Sequence, residues 1–124
     1  MVTTEINLKD KKQCKDLFKK LHKELTKRMR NASYIPQWGQ HWSVAYISDI
    51  NKELKSFYLT IVSENNYMDI NISRHKEFLA VELSLYDNIT EEEYSNDYTS
   101  VVLHNMIGVV LADYLNFKFC GEVK

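Results

Sequence analysis

Between residues 41 and 86 the chain alternates apolar and polar residues in four runs, and the interruptions between them are too short to hold anything but turns. The runs are HWSVAYISDI (41–50), KSFYLTIVSE (55–64), YMDINISR (67–74) and EFLAVELSLY (77–86). A period of two sends successive side chains to opposite faces of a strand. Connections of two to four residues join only antiparallel neighbours. The pattern therefore predicts a four-stranded antiparallel meander with one apolar and one polar face.

Candidate turns give candidate registers. Asn65-Asn66 suits a two-residue type I′ turn, because asparagine tolerates positive φ. It would set Ile61 opposite Ile70 and Leu59 opposite Ile72. His75-Lys76 as a second two-residue turn would set Ile72 opposite Leu79, Ile70 opposite Val81 and Met68 opposite Leu83. Both registers gather one continuous apolar face. In the first strand a four-residue NKEL loop directs Trp42, Val44 and Tyr46 inward, whereas a one-residue change would direct Ala45 and Ile47 there.

A sheet with one apolar face needs a cover, and the segments on either side supply two helices. In NLKDKKQCKDLFKKLHKELTKRMRN, residues Cys14, Leu17, Phe18, Leu21, Leu25 and Met29 recur at spacings of three and four among lysines, which marks an amphipathic helix. Asn7 is its expected cap, with Asp10 adding negative charge to the first turn. Lys27, Arg28 and Arg30 complement the dipole of its last turn, and Pro36 bars continuation. Towards the C-terminus, Thr90 and Glu93 have capping-box spacing, with Ile89 and Tyr94 placed as a hydrophobic staple. A break is expected near residues 95–97. From Val101 to Leu115 the segment is apolar on nearly all sides and should form the central buried helix, with Gly108 allowing close approach to a neighbour. The fold class is thus α+β: a four-stranded antiparallel meander packed on one face by an N-terminal amphipathic helix and a C-terminal apolar helix, in the order α-β-β-β-β-α, as one domain over residues 1–124.

The N-terminal segment lacks the apolar core of a secretory signal, which points to a cytoplasmic, reducing setting. Cys14 and Cys120 are then expected as free thiols rather than a disulfide. The Asn-x-Ser/Thr triplets at Asn31, Asn71 and Asn88 carry no weight in that setting. The most apolar stretch, 101–115, is too short and too polar to span a bilayer. The formal net charge of −1 hides a split. Residues 1–36 hold ten Lys/Arg and four Asp/Glu, whereas residues 37–124 hold six and thirteen.

No catalytic, cofactor or metal motif stands out. The histidines lack the helical i, i+4 spacing of a zinc site, His104-Asn105 reads as a satisfied polar pair in the core, and three glycines cannot make a phosphate loop. Binding candidates are better defined. The second register above sets Asp69 opposite Glu82 on the outer face, a destabilising like-charge pair that invites a functional reason. Around it lie Tyr58, Thr60, Asn71, Ser73, Phe78 and Ser84. In YIPQWGQHW (34–42), Trp42 is expected in the core and Trp38 in the loop as a partner contact, with His41 beside them.

These features point to a non-catalytic protein-binding module of the inhibitor kind: an immunity or antitoxin protein, or a phage-type counter-defence protein. Its acidic sheet face and Glu91 to Glu93 would cover the basic active site of a partner such as a nuclease or toxin, with Trp38, His41, Tyr58, Asp69, Asn71 and Glu82 as contacts. The alternative is nucleic-acid binding through the basic helix. A third reading is a small enzyme whose site assembles from distant residues, using His41 with neighbouring acids. No membrane association is expected, and a homodimer could bury surplus apolar surface on residues 101–115.

Overall fold

The computed structural model describes residues 1–30, 33–35 and 40–123. Along the chain these form β1 (Val2–Asn7), α1 (Lys11–Lys27) continued by a 3-10 turn (Arg28–Arg30), β2 (Ser33–Ile35), β3 (Gln40–Ile47), β4 (Ser56–Ser63), β5 (Asn66–Arg74), β6 (Phe78–Asp87) and α2 (Asn96–Val109), which runs into a π turn (Val110–Tyr114). The strands make one antiparallel sheet ordered β1-β6-β5-β4-β3-β2. The α+β class and the meander of β3 to β6 stand, but the expected order α-β-β-β-β-α does not. A strand precedes the first helix, and β1 and β2 add an edge on each side of the meander.

In β1, Val2, Thr4 and Ile6 point into the core and Thr3 and Glu5 away from it, and the strand pairs with β6 through Val2–Leu83 and Ile6–Leu79. Because β1 and β2 lie on opposite edges, the chain must cross the sheet between them, and α1 makes that crossing. Its 17 residues span about 25 Å at 1.5 Å per residue, close to the width of six strands about 4.8 Å apart. Asp10, not Asn7, caps this helix, accepting a hydrogen bond from the Gln13 amide at 2.8 Å. Asn7 is the last residue of β1 and pairs with Phe78. Cys14, Leu17, Phe18, Leu21 and Leu25 are buried as their spacing requires. Met29 is not: it falls in the 3-10 turn, where the α-helical period has ended, and is 42 % exposed. Pro36 lies outside the described residues.

The two hairpin registers each differ from expectation by two residues. Leu59 pairs with Ile70 and Ile61 with Met68, so the two-residue connection is Glu64-Asn65 rather than Asn65-Asn66. Ser63 and Asn66 close that turn through the Ser63 hydroxyl, and neither Asn65 nor Asn66 takes positive φ, so the turn is not type I′. Likewise Ile72 pairs with Val81, Ile70 with Leu83 and Met68 with Leu85, with Lys76-Glu77 at the turn in place of His75-Lys76. A slip of two preserves which face each side chain takes, so the apolar face is the expected one with different partners. A bulge between Val44 and Tyr46 settles the first strand. Before it Trp42 and Val44 face the core; after it Ile47 does, pairing with Leu59, while Tyr46 turns out and is 53 % exposed. One extra residue in a strand reverses the alternation beyond it.

The second helix starts at Ser95, which accepts from the Tyr98 amide, and not at Thr90. Thr90 and Glu93 form no capping box. Instead the Asp87 carboxylate takes the Ile89 and Thr90 amides, Glu91 adopts φ of 61°, and Glu93 bridges to Tyr86. Ile89 is left 88 % exposed and staples nothing. On α2 and the π turn, Val102, Leu103, Met106, Ile107, Val110 and Leu111 fill the core, with Val101 and His104 outside. His104 is therefore not a core polar residue, and a side chain at Gly108 would meet open space rather than a close neighbour. Asn116, at φ of 53°, ends the helix in the left-handed conformation common at C-termini. The tail then returns to β1: Val123 bridges to Thr4, whose buried hydroxyl donates to the Glu122 carbonyl at 2.8 Å. Across the layers, the Arg28 guanidinium lies 3.3 Å from the ring centre of Tyr114 and 5.8 Å from that of Trp42, joining the end of α1 to β3 and the π turn. No helix among the described residues is long and apolar enough to cross a membrane.

Candidate functional site

Both helices pack on the apolar face of the sheet, so among the described residues the outward positions of β1, β6, β5, β4 and β3 have no helix over them. The strand pairings lay out the chemistry of that face. One row runs Thr3, Glu82, Asn71, Tyr58, and the next runs Ser84, Asp69, Thr60, Tyr46. Asp69 thus stands between Ser84 and Thr60 and does not oppose Glu82. The expected like-charge pair is absent because the register is two residues away. The two carboxylates are diagonal neighbours, where separation and solvent weaken repulsion.

Hydrogen bonds hold the centre of the patch. Thr60 donates its hydroxyl to Asp69 Oδ1 at 3.0 Å, and Tyr58 stands in the adjoining row, opposite Asn71. Partial burial, offset by the Thr60 contact and reinforced by the Asp69 charge, holds the Tyr58 phenol above its ordinary pKa. Beside it the rings of Tyr67 and Tyr86 stack at 4.8 Å with 14° between planes. Tyr67 is also raised, through burial and then the charges of Glu91, Asp69 and Tyr86. The outward positions of these five strands include Glu5, Asp69 and Glu82 and no lysine or arginine. Lys9, Lys11, Lys12, Lys15, Lys19, Lys20, Lys23 and Lys27 are exposed on or beside α1, on the helical side of the sheet.

Of the expected contact residues, the fold brings Tyr58, Asp69, Asn71 and Glu82 into one patch. His41 is exposed near the start of β3, outside that patch, and Trp38 lies outside the described residues. Tyr67 and Tyr86 also belong to the face, as alternation requires, because each neighbours a core residue, Met68 or Leu85. Thr3 and Glu5 arrive with the unforeseen strand β1. The acidic stretch 91–93 is partly engaged, because Glu93 accepts a 2.7 Å hydrogen bond from the Met1 amine, which holds its carboxyl below the usual range.

The histidines are dispersed. His22 Nε2 meets the Ser48 carbonyl at 2.8 Å, His75 stacks on Phe78, and His104 lies against Phe119. Among the described residues no three His, Cys, Asp or Glu side chains are grouped to hold a metal ion. Cys14 and Cys120 are free thiols. Cys14 is buried, with its sulfur 3.4 Å from the carbonyls of His75 and Phe78, and burial pushes its pKa up, away from the reactive thiolate. No protein-family model, curated protein or solved structure matches the chain.

Proposed function

We propose that this chain is a non-catalytic binding module that docks a basic protein partner on its outer sheet face and inhibits it by occlusion, in the manner of an immunity, antitoxin or counter-defence protein. One observation carries the reading: among the described residues, a sheet face without a covering helix, centred on Asp69 and Glu82, bears tyrosines and carboxylates and no lysine or arginine at its outward strand positions. Tyrosines are rigid, amphipathic anchors that bind at low entropic cost. Carboxylates on one face steer a cationic partner and discriminate against acidic ones. A cytoplasmic setting, with no bound cofactor, belongs to the same proposal.

The test uses the double reversal Asp69→Lys with Glu82→Lys as bait beside the unaltered chain, in a pull-down from the native cell. A basic partner retained by the unaltered chain, lost by the reversal and inhibited in its own assay supports the proposal. Equal capture by both removes this face as the binding surface.

The lysines exposed on α1 favour a second reading, nucleic-acid binding along that helix. It predicts binding to DNA or RNA that weakens steeply from low to moderate salt. A flat response, or no binding at low salt, would exclude it.

A further inference from the structure

On the helical side of the molecule, α1 and the β3–β4 connection enclose a pocket of about 400 Å³ whose lining is Lys15, Phe18, Lys19, Ile50, Lys52, Lys55 and Arg74. Five of these seven are cations and none is a carboxylate. We infer that this pocket is a binding site for a small anion carrying a pyrophosphate group, of the nucleoside diphosphate class.

The convergence is not a by-product of the lysine-rich helix. Lys15 and Lys19 are one turn apart on a single flank of α1. The other three cations come from elements remote in sequence. Residues 37–124 hold six Lys/Arg, namely Lys52, Lys55, Arg74, Lys76, Lys118 and Lys124, and three of the six line this one pocket. Bringing like charges together is unfavourable unless something offsets it. The ion pairs found among the described residues, Met1 with Glu93 and Lys27 with Glu24, involve none of the five. A bound anion would supply the missing counter-charge.

Backbone geometry adds a second observation. Lys55 adopts φ of 51°, in the left-handed region where glycine or asparagine is the ordinary occupant. A lysine there sits in a strained conformation, and such strain gathers at ligand-binding positions. Two contacts hold it: the Asn51 side chain accepts the Glu53 and Leu54 amides, and the Arg74 amide donates to the Lys55 carbonyl at 2.8 Å. The arginine fork and lysine point charges suit phosphate oxygens. Half-buried Ile50, over the buried edge of Phe18, gives the pocket a small apolar side for a base or sugar, and its volume falls in the range of small-ligand sites.

The experiment is calorimetric titration of the full chain with ADP and with inorganic pyrophosphate at low salt, using Lys55→Gly, Lys19→Ala and, as control, Lys20→Ala. Lys20 lies on the opposite flank of α1, in a pocket it shares with Asp10 and Asp16. Lys55→Gly removes a cation while relaxing the backbone, so its melting temperature should hold or rise and lost binding cannot be lost folding. The expected result is one-to-one binding, weakened at least tenfold by Lys55→Gly and by Lys19→Ala and unchanged by Lys20→Ala. Tighter binding of ADP than of pyrophosphate assigns the apolar wall to the nucleoside, and equal binding assigns the site to the pyrophosphate alone. The proposal is overturned by absence of binding at millimolar ligand or by an equal loss in Lys20→Ala. It is also overturned if single-stranded DNA binds more tightly than ADP with an affinity that grows with length.

Discussion

Thr60 on β4 donates its hydroxyl to Asp69 on β5 across 3.0 Å, and that bond fixes a carboxylate in the middle of the outer sheet face. The Tyr58 phenol, one row away, feels the charge directly.

Asp69→Asn should therefore lower the Tyr58 pKa without restoring it fully, because burial is the larger cause of its elevation and the amide leaves burial in place. The Tyr58 ring resonances followed through alkaline pH would measure it. An unchanged midpoint would show that Asp69 does not reach the phenol.

Trp42 is among the largest fully buried side chains, and its Nε1 finds no acceptor among the described residues. Trp42→Ala should cost about 3–5 kcal/mol in denaturant unfolding. Trp42→Phe should cost distinctly less, since it keeps an aromatic ring beneath Arg28 and removes a buried donor that has no partner among the described residues. Equal losses from the two would mean that Nε1 is satisfied.

Asp87 is held below the usual carboxylate range, first by the Thr90 amide and then by that of Ile89. A depressed folded-state pKa contributes stability that is present above the unfolded value and is lost as pH falls through the folded one. Asp87→Asn should accordingly flatten the acid limb of the stability curve, measured by unfolding at stepped pH below neutrality. An acid limb as steep as that of the unaltered chain would assign the sensitivity to other carboxyls.

Gly121 admits a side chain only if the Phe119 ring and the β1 backbone give way. A Cβ there would lie 2.6 Å from the Phe119 ring and 3.2 Å from the Glu5 carbonyl oxygen. Gly121→Ala should loosen the tail from β1 while sparing the sheet centre. Amide exchange should quicken at Val123 and Thr4 but not at Ile70 or Leu83, and protection unchanged throughout would show that the tail adapts.

Much of the architecture is legible in the residues because it rests on periodicity, which is local. Alternation along residues 41–86 assigns Leu59, Ile70 and Val81 to the core and Tyr58, Asp69 and Asn71 to the opposite face without any knowledge of partners. Three- and four-residue spacing does the same for Leu17, Leu21 and Leu25. The face of Asp69 follows from its neighbours Met68 and Ile70. Its cross-strand partner does not, because sliding a strand by two residues leaves every side chain on the same face, and composition cannot choose between the two pairings. The turns at Glu64-Asn65 and Lys76-Glu77 made that choice, and with it went the supposed Asp69–Glu82 conflict.

Other features depend on contacts between residues far apart in the chain. VTTEIN, rich in β-branched side chains, has no neighbour close in sequence to pair with, and its partner β6 begins only at Phe78. The bulge at Ala45 reconciles two alternations that look exclusive along the sequence. The basic pocket exists only because α1 crosses the sheet beside the β3–β4 connection and the end of β5. The amino-acid order by itself determined the types of α1, α2 and the four strands of the meander, and the inward and outward faces of β4, β5 and β6, since each follows from neighbours a few residues away. Register, edge strands and the gathering of five cations around one pocket were decided by the tertiary structure, because each depends on which distant segments can close against one another with the core filled and the backbone hydrogen-bonded.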